Sequence, residues 1–208
     1  MKLNLPNKLT IIRLCLVPVL LIVGMLPESI LPFYVSCVIC AILFIGTAIT
    51  DMLYGRIARK RNLITDFGKF LDPIADKFMV IGALFVLLYK FPSLQLPLIV
   101  TLIVVVFREL AVTSMRLVVS TGSGVVVAAN NLGKIKTVSQ IVAIATVFLE
   151  PVLQLLIRLG VEALTGNAAT WTDVAILSWI TLTFSVVMTV WSGMNYILGL
   201  WGHLDPEK

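Results

Sequence analysis

The sequence is poor in the residues on which many metal sites and covalent active sites depend. His203 is the only histidine among 208 residues, so a histidine-based metal site or a Ser-His-Asp triad is not expected. The three cysteines, Cys15, Cys37 and Cys40, all lie in apolar runs, and their odd number gives no disulfide framework. We interpret the cysteines as packing residues, and any chemistry must depend on other side chains.

Charged residues are also scarce. They make up 13% of the chain, whereas apolar residues make up 59% and the mean hydropathy is +1.04, values far from those of soluble domains. A lipid bilayer is therefore the expected solvent. No soluble domain, tandem repeat or low-complexity linker interrupts this pattern, so we expect one membrane domain over residues 1–208.

Apolar runs dominate the sequence, and each is close to the length of a bilayer-spanning helix, roughly 20 residues. They cover 10–27, 30–50, 74–90, 96–118, 138–159 and 174–200. The separators contain Pro, Gly, Ser and Asn, which favour turns. The pattern predicts an all-α polytopic membrane protein with about six transmembrane helices. The first run follows basic residues without a small-x-small cleavage pattern, so we expect a retained helix.

Lysine and arginine fall mainly on one side of these predicted helices. Only Lys90 and Arg158 of the 16 basic residues lie on the other side. Because short cytoplasmic loops accumulate Lys and Arg, we expect both termini to be cytoplasmic and the helices to lie in the plasma membrane. The formal net charge of +5 fits contact with anionic membrane lipids and gives no reason to expect a nucleic acid partner.

Several charged residues abut or interrupt the apolar runs instead of lying in loops. Ionisable groups in such places are costly and usually face a polar cavity or one another. They are Asp51, Asp72, Asp76, Arg108, Glu109 and Arg116. Two interpretations are open: an ion-pair network that holds helix ends together, or a ligand site in a polar cavity open to the cytoplasm.

A stripe of contrasting residues follows the second apolar run. Helical spacing places Asp51, Gly55 and Arg59 along one face, with Tyr54 and Ala58 beside them. The small residues would let a ligand or another helix approach the backbone closely. The stripe therefore combines an acidic group, a bare surface and a basic group.

A second acidic pair follows shortly after Gly68. Asp72 and Asp76 are one helical turn apart and would share a face, and we expect Asp72 to cap a helix with Pro73 in its first turn. Carboxylates that converge near membrane depth need compensation, which Mg²⁺ or Mn²⁺ and a bound diphosphate would supply. Arg59 could then hold a phosphate oxygen.

The spacing of these residues resembles the signature of the CDP-alcohol phosphotransferase family, Asp-x2-Asp-Gly-x2-Ala-Arg-x8-Gly-x3-Asp-x3-Asp. The chain matches it at every named position but one, and the matching residues are Asp51, Gly55, Ala58, Arg59, Gly68, Asp72 and Asp76. The resemblance implies a Mg²⁺- or Mn²⁺-dependent transferase with two metal ions per site. Asp51, Asp72 and Asp76 would hold the ions, and Asp76 would also be the catalytic base. The CDP-lipid would contact Gly55, Ala58, Arg59 and Gly68.

Tyr54 stands where the family has its second aspartate. A tyrosine is neutral at physiological pH and replaces an anionic metal ligand poorly. Two interpretations follow. Tyr54 is an interfacial aromatic residue in a working enzyme, or it marks a catalytically impaired homologue that still binds a CDP-lipid.

The resemblance extends over nearly the whole chain, and its outlying matches point to those members that use glycerol 3-phosphate as acceptor. The opening Asn7-x2-Thr10-x2-Arg13 is similar to theirs, so Asn7 and Thr10 would also face the CDP-lipid, although without the family such residues more often only cap a helix start. The glycerol phosphate would contact Arg108, Arg116, Lys134 and Lys136. Cytoplasmic loops accumulate such cations without any ligand, which is the alternative for the two lysines.

The reaction implied by this resemblance transfers a phosphatidyl group from CDP-diacylglycerol to glycerol 3-phosphate and gives phosphatidylglycerol phosphate and CMP. The same chemistry with inositol phosphate, serine or another alcohol is the alternative. The family resemblance also implies a homodimer with one active cavity per protomer. A transporter fits less well, because the charges gather at one face and leave no midplane pathway.

Overall fold

Helices make up nearly all of the protein that the computed structural model describes, which comprises residues 5–60, 66–122, 131–165 and 175–201. In chain order these helices are α1 (Leu5–Met25), α2 (Phe33–Lys60), α3 (Asp66–Lys90), α4 (Gln95–Gly122), α5 (Asn131–Thr165) and α6 (Ile176–Trp201). A short 3₁₀ turn, Pro92–Leu94, joins α3 to α4. The described ranges contain no strand, so the all-α prediction is confirmed.

Five of the six described helices contain stretches long and apolar enough to cross a membrane. These stretches are Asn7–Met25, Phe33–Met52, Pro92–Val119, Asn131–Thr165 and Ile176–Gly199. α3 differs because Asp72, Asp76 and Lys77 interrupt the apolar pattern in its first half. Large apolar side chains such as Phe107 and Leu198 are exposed on the helix surfaces, as contact with lipid requires. The prediction of a polytopic membrane protein is confirmed.

The start of α3 differs from the prediction. The helix begins at Asp66, so Asp72 does not cap it and Pro73 lies inside it. Pro18 and Pro151 likewise lie inside α1 and α5. Proline removes one helical hydrogen bond, but membrane helices tolerate this loss where neighbouring groups compensate for it. The predicted cap at Asp72 is therefore wrong, because the helix continues through the capping signal.

The helices form a closed ring in the order α1, α2, α5, α6, α4 and α3, and α3 also contacts α5. Glycines allow α1 and α3 to approach closely. A Cβ on Gly24 would lie 2.2 Å from Val86 Cγ1, and a Cβ on Gly82 would lie 3.0 Å from Val17 Cγ1. Small residues permit such close packing of membrane helices. These contacts also show that α1 and α3 run in the same direction.

The apolar core contains side chains from both halves of the chain. Phe44 on α2 and Phe148 on α5 are almost fully buried in it. Cys37 and Cys40 are fully buried in the same core, as expected of packing cysteines, whereas Cys15 is exposed on α1. The buried Phe44 ring and the two buried thiols therefore pack α2 tightly against its neighbours.

A buried carboxylate fixes the start of α6. Glu150 on α5 is 5% exposed and accepts hydrogen bonds from the backbone N–H groups of Leu177 and Ser178, at 2.9 and 2.8 Å. It also accepts a hydrogen bond from the Ser178 hydroxyl. The first N–H groups of a helix have no acceptor within the helix, and a negative charge there is favoured by the helix dipole. Glu150 thus caps α6 from the neighbouring helix.

Candidate functional site

The shared direction of α1 and α3 brings polar residues of α1 alongside the acidic motif. Thr10 donates a hydrogen bond to Asp72 Oδ1, and Arg13 Nη1 pairs with Asp76 Oδ1. The other terminal nitrogen of Arg13, Nη2, lies 2.6 Å from Asp51 Oδ1 on α2. We call Thr10, Arg13, Asp51, Asp72 and Asp76 the aspartate cluster. Three helices thus meet at one group of polar side chains.

The aspartate cluster is buried on the α1 side and partly open on the other. The side chain of Arg13 is 6% exposed, whereas those of Asp51 and Asp76 are 42% and 51% exposed. Within the cluster one guanidinium accompanies three carboxylates, which leaves an excess of negative charge. Excess charge beside an apolar core is unfavourable without a counter-ion, so the cluster is suited to a further cation.

The described side chains do not form a preassembled metal-binding cage. No group of three or more His, Cys, Asp or Glu residues in the described ranges is arranged to hold a metal ion. Instead, the guanidinium of Arg13 lies between Asp51 and Asp76 and pairs with one oxygen of each. Carboxylate oxygens are nonetheless the donors that Mg²⁺ and Mn²⁺ prefer, and the negative excess favours a divalent ion. The donor chemistry therefore fits the expected metal, with Arg13 as the protein's own counter-ion.

A second polar cluster lies between α4, α5 and α6. Lys136 pairs with Glu109 Oε1, and Arg108 Nη1 lies 3.2 Å from the same oxygen. Arg108 Nη2 donates a hydrogen bond to Ser192 Oγ at 3.0 Å. We call these four residues the Glu109 cluster. It contains two cations and one carboxylate, so its excess charge is positive, the opposite of the aspartate cluster.

The other two residues predicted to bind the acceptor phosphate are more exposed. Arg116 Nε donates a hydrogen bond to the Tyr196 hydroxyl at 2.8 Å, and the guanidinium carbon lies 5.1 Å from the centre of the tyrosine ring. Lys134 is exposed on α5, whereas Lys136 is buried. Residues two apart on a helix point in different directions, which explains this difference. The four predicted cations thus occupy three different environments.

A hydrogen bond connects the helices that carry the two clusters. Lys77 Nζ donates to Thr113 Oγ1 at 2.6 Å, from α3 to α4. Lys77 directly follows Asp76, so consecutive residues of α3 contact α1 on one side and α4 on the other. This segment of α3 therefore carries part of the aspartate cluster and contacts the helix that carries Arg108 and Glu109.

Comparison with known proteins identifies the protein family of this chain. The family model described as CDP-alcohol phosphatidyltransferase matches residues 3–191, most of the chain. The chain belongs to the CDP-alcohol phosphatidyltransferase family. This finding confirms the family resemblance that the signature residues of α2 and α3 predicted.

Curated relatives in this family match the chain over much or nearly all of its length. The three described below all bear the name CDP-diacylglycerol–glycerol-3-phosphate 3-phosphatidyltransferase. The protein of Bacillus subtilis (strain 168) is 39% identical over 214 residues, covering 99% of both chains. The protein of Yersinia pestis is 30% identical over 205 residues, or 98% of both chains. The protein of Wigglesworthia glossinidia brevipalpis is 37% identical over 145 residues, or 69% of this chain and 76% of its own.

Several residues of the family signature lie where side chains are not described. The backbone of α2 is helical through Lys60, but four predicted site residues fall outside the described side chains: Tyr54, Gly55, Ala58 and Arg59. Gly68 is buried in α3, and Asn7 is buried on α1. The contacts of these residues with a CDP-lipid stay predictions.

Other residues that contact the predicted site were not identified from the sequence. The N-terminal motif of the family placed Arg13 on the correct face of α1, but its ion pairs with two aspartates were not foreseen. Ser192 and Tyr196 contact the two predicted arginines from α6. Only a weak pattern in the sequence pointed to Ser192 and Tyr196. They are polar residues one helical turn apart within an apolar helix, where polar groups usually find partners.

Substitution of Arg13 tests whether it is the counter-ion of the aspartate cluster. Arg13→Gln should destabilise the metal-free protein, because Asp51 and Asp76 lose their buried cationic partner. We expect a loss of about 1–3 kcal/mol, less than the roughly 3–5 kcal/mol of a fully buried pair, since both aspartates are partly exposed. Thermal unfolding in detergent with EDTA measures the change.

Two further variants make this test specific. Lys8→Gln removes an exposed cation from the same helix and should leave the melting temperature unchanged. Adding Asp76→Asn to Arg13→Gln should restore part of the lost stability, because one unpaired carboxylate is removed. Strictly additive losses in the double variant would contradict the proposed pairing.

Proposed function

We propose that this chain transfers the phosphatidyl group of CDP-diacylglycerol to glycerol 3-phosphate, giving phosphatidylglycerol phosphate and CMP. The observation that carries the proposal is the end-to-end similarity to curated relatives whose names state these two substrates. The two clusters add chemical support, because one has a negative excess and the other a positive excess on adjoining helices. A cation-bound diphosphate donor and an anionic acceptor would need these opposite charges.

Asp51, Asp72 and Asp76 would hold Mg²⁺ or Mn²⁺, with two ions per site. Bound metal would neutralise the diphosphate and stabilise the charge that develops on the departing CMP. Arg13 contributes by keeping Asp51 and Asp76 together against their mutual repulsion. Arg59 would hold a phosphate oxygen.

Asp76 would act as the general base. Its side chain is half exposed, so a ligand can reach it while Arg13 holds one of its oxygens. Asp76 would accept the proton of the glycerol 3-phosphate 1-hydroxyl as that oxygen bonds to the phosphorus nearest the lipid. The bond from this phosphorus to the bridging oxygen would break, and CMP would leave with that oxygen. Positioning by Arg13 matters because such transfers depend mainly on alignment and charge neutralisation.

Arg108, Arg116, Lys134 and Lys136 would bind the phosphate of the acceptor. Arg108 Nε supports this assignment, since it is buried and has no hydrogen-bond partner among the described residues. A buried donor without a partner is costly, and a phosphate oxygen would satisfy it. Serine carries no phosphate for these cations to bind, which favours glycerol 3-phosphate over that alternative.

We further propose that the protein is a homodimer in the cytoplasmic membrane, with both termini cytoplasmic. The orientation is supported by the concentration of Lys and Arg on one side of the helices. It would place both clusters within reach of water-soluble glycerol 3-phosphate.

A second candidate function is a homologue that binds CDP-lipid without transferring it. Tyr54 favours this alternative, because a neutral phenol stands where the family signature has an anionic ligand. Metal and CDP-lipid binding without CMP release, even at high Mg²⁺, would support it.

CMP release tests the proposed reaction directly. The purified protein should release CMP from CDP-diacylglycerol when glycerol 3-phosphate and Mg²⁺ are present, and EDTA should abolish the release. Omission of glycerol 3-phosphate, or its replacement by serine or inositol phosphate, provides the control, with chromatography of the lipid product. Equal release with serine would contradict the assigned acceptor.

Asp76→Asn tests the base. The amide oxygen can still accept a hydrogen bond from Arg13, but the side chain cannot take up a proton, so we expect kcat to fall by about 10²-fold or more. Binding of CDP-diacylglycerol, measured by equilibrium titration, should be retained. Glu162→Gln, an exposed carboxylate of α5, is the matched control. Turnover of Asp76→Asn near the original rate would exclude Asp76 as the base.

Tyr54→Asp tests the departure from the signature. Restoring the anionic ligand should raise the Mg²⁺-dependent rate and lower the Mg²⁺ concentration needed for half-maximal CMP release. Tyr54→Phe, which adds no charge, should change neither value. An unchanged or lower rate for Tyr54→Asp would show that the tyrosine belongs to a rearranged, working site.

A further inference from the structure

One segment of α6 contacts both arginines assigned to the acceptor. Ser192 and Tyr196, one helical turn apart, are 2% and 8% exposed, so both side chains face the protein interior and not lipid. Ser192 contacts Arg108 and Tyr196 contacts Arg116, in the same order along α4 and α6. These two residues have no place in the family signature or in the reaction steps described above.

Tyr196 holds Arg116 by two kinds of contact. Its hydroxyl accepts a hydrogen bond from Nε at 2.8 Å, and its ring lies under the guanidinium at 5.1 Å from the guanidinium carbon. The hydrogen bond engages the inner nitrogen of the guanidinium, so the two terminal amino groups can act as donors to an anion. The cation–π contact fixes the plane of the guanidinium. An exposed arginine would otherwise sample many rotamers and lose that freedom on binding.

Arg108 is held by the same segment. Ser192 Oγ accepts a hydrogen bond from Nη2 at 3.0 Å, and Glu109 Oε1 lies 3.2 Å from Nη1. Gly193 provides the space, because a Cβ there would lie 3.1 Å from Arg108 Cγ. Both terminal nitrogens are therefore oriented, while the buried Nε has no partner among the described residues.

The two arginines lie eight residues apart on α4, or about 12 Å along its axis. Their guanidinium groups contact residues of α6 that are only four residues, or about 6 Å, apart, so one ligand would be within reach of both. Ser192 and Tyr196 contact them from one side. The arrangement resembles a clamp whose two basic groups are oriented before a phosphate arrives.

We propose that Ser192 and Tyr196 are positioning residues that orient Arg108 and Arg116 for the phosphate of the acceptor, and thereby favour phosphorylated acceptor alcohols. This inference rests on the proposed function, which assigns the arginines to that phosphate. Neither residue contacts the reacting atoms in the proposed mechanism. Their loss should therefore weaken acceptor binding and have little effect on the donor.

Tyr196→Phe is the sharpest test, because it removes the hydroxyl and keeps the ring with its packing. We expect KM for glycerol 3-phosphate to rise about three- to tenfold, with KM for CDP-diacylglycerol and the melting temperature unchanged. Calorimetric titration of glycerol 3-phosphate in EDTA, where no turnover occurs, should show the same loss of affinity. Ser192→Ala should behave similarly, whereas Ser192→Thr, which keeps a hydroxyl, should retain affinity.

Control variants separate this inference from the proposed function. Tyr89→Phe removes an exposed hydroxyl on α3 and should change no constant. Arg116→Ala should raise KM for glycerol 3-phosphate, and adding Tyr196→Phe should then have no further effect. If Arg116→Ala leaves that KM unchanged, both the assignment of Arg116 and this inference fail. If Arg116→Ala raises it but Tyr196→Phe and Ser192→Ala do not, only the positioning role is overturned.

Discussion

One buried guanidinium holds the acidic site together. Arg13, on α1, pairs with a carboxylate on α2 and another on α3, so three helices share a single cation. Three carboxylates at the edge of an apolar bundle would otherwise repel one another. The glycine contacts between α1 and α3 set the register that makes the pairing possible. The close packing of α1 against α3 is thus what allows Arg13 to neutralise the carboxylates.

The first half of α3 contains part of the aspartate cluster and contacts the helix that carries Arg108 and Glu109. Asp76 belongs to the aspartate cluster, and the next residue, Lys77, bonds to Thr113 on the helix that carries Arg108 and Arg116. Successive residues of a helix point about 100° apart, so one short segment can border two sites. In the proposed reaction this would bring a negatively charged acceptor toward a cation-bound donor at the residue that removes the proton.

Spacing in the sequence predicted which site residues share a face of one helix, but not which residues meet between helices. The intervals from Asp51 to Arg59, from Asp72 to Asp76 and from Asn7 to Arg13 all belong to single helices, and the structure makes each interval helical. Cross-helix partners such as Ser192 and Tyr196 lie 84 and 80 residues from their arginines, and no local pattern encodes such distances. The cap predicted at Asp72 failed for a related reason: α3 continues through Pro73, and capping rules describe only the local chain.

The bond of Glu150 to the start of α6 has a consequence at the far end of that helix. Ser178, held by Glu150, and Ser192, which contacts Arg108, are fourteen residues apart, close to four full turns. α6 is therefore anchored at two levels and cannot slide along its axis past α4 and α5. Bilayers differ in thickness, and unanchored helices adjust by tilting or shifting. Here the position of Ser192 and Tyr196 is fixed relative to α4 and α5, so their contacts with Arg108 and Arg116 are kept when the surrounding lipid becomes thinner or thicker.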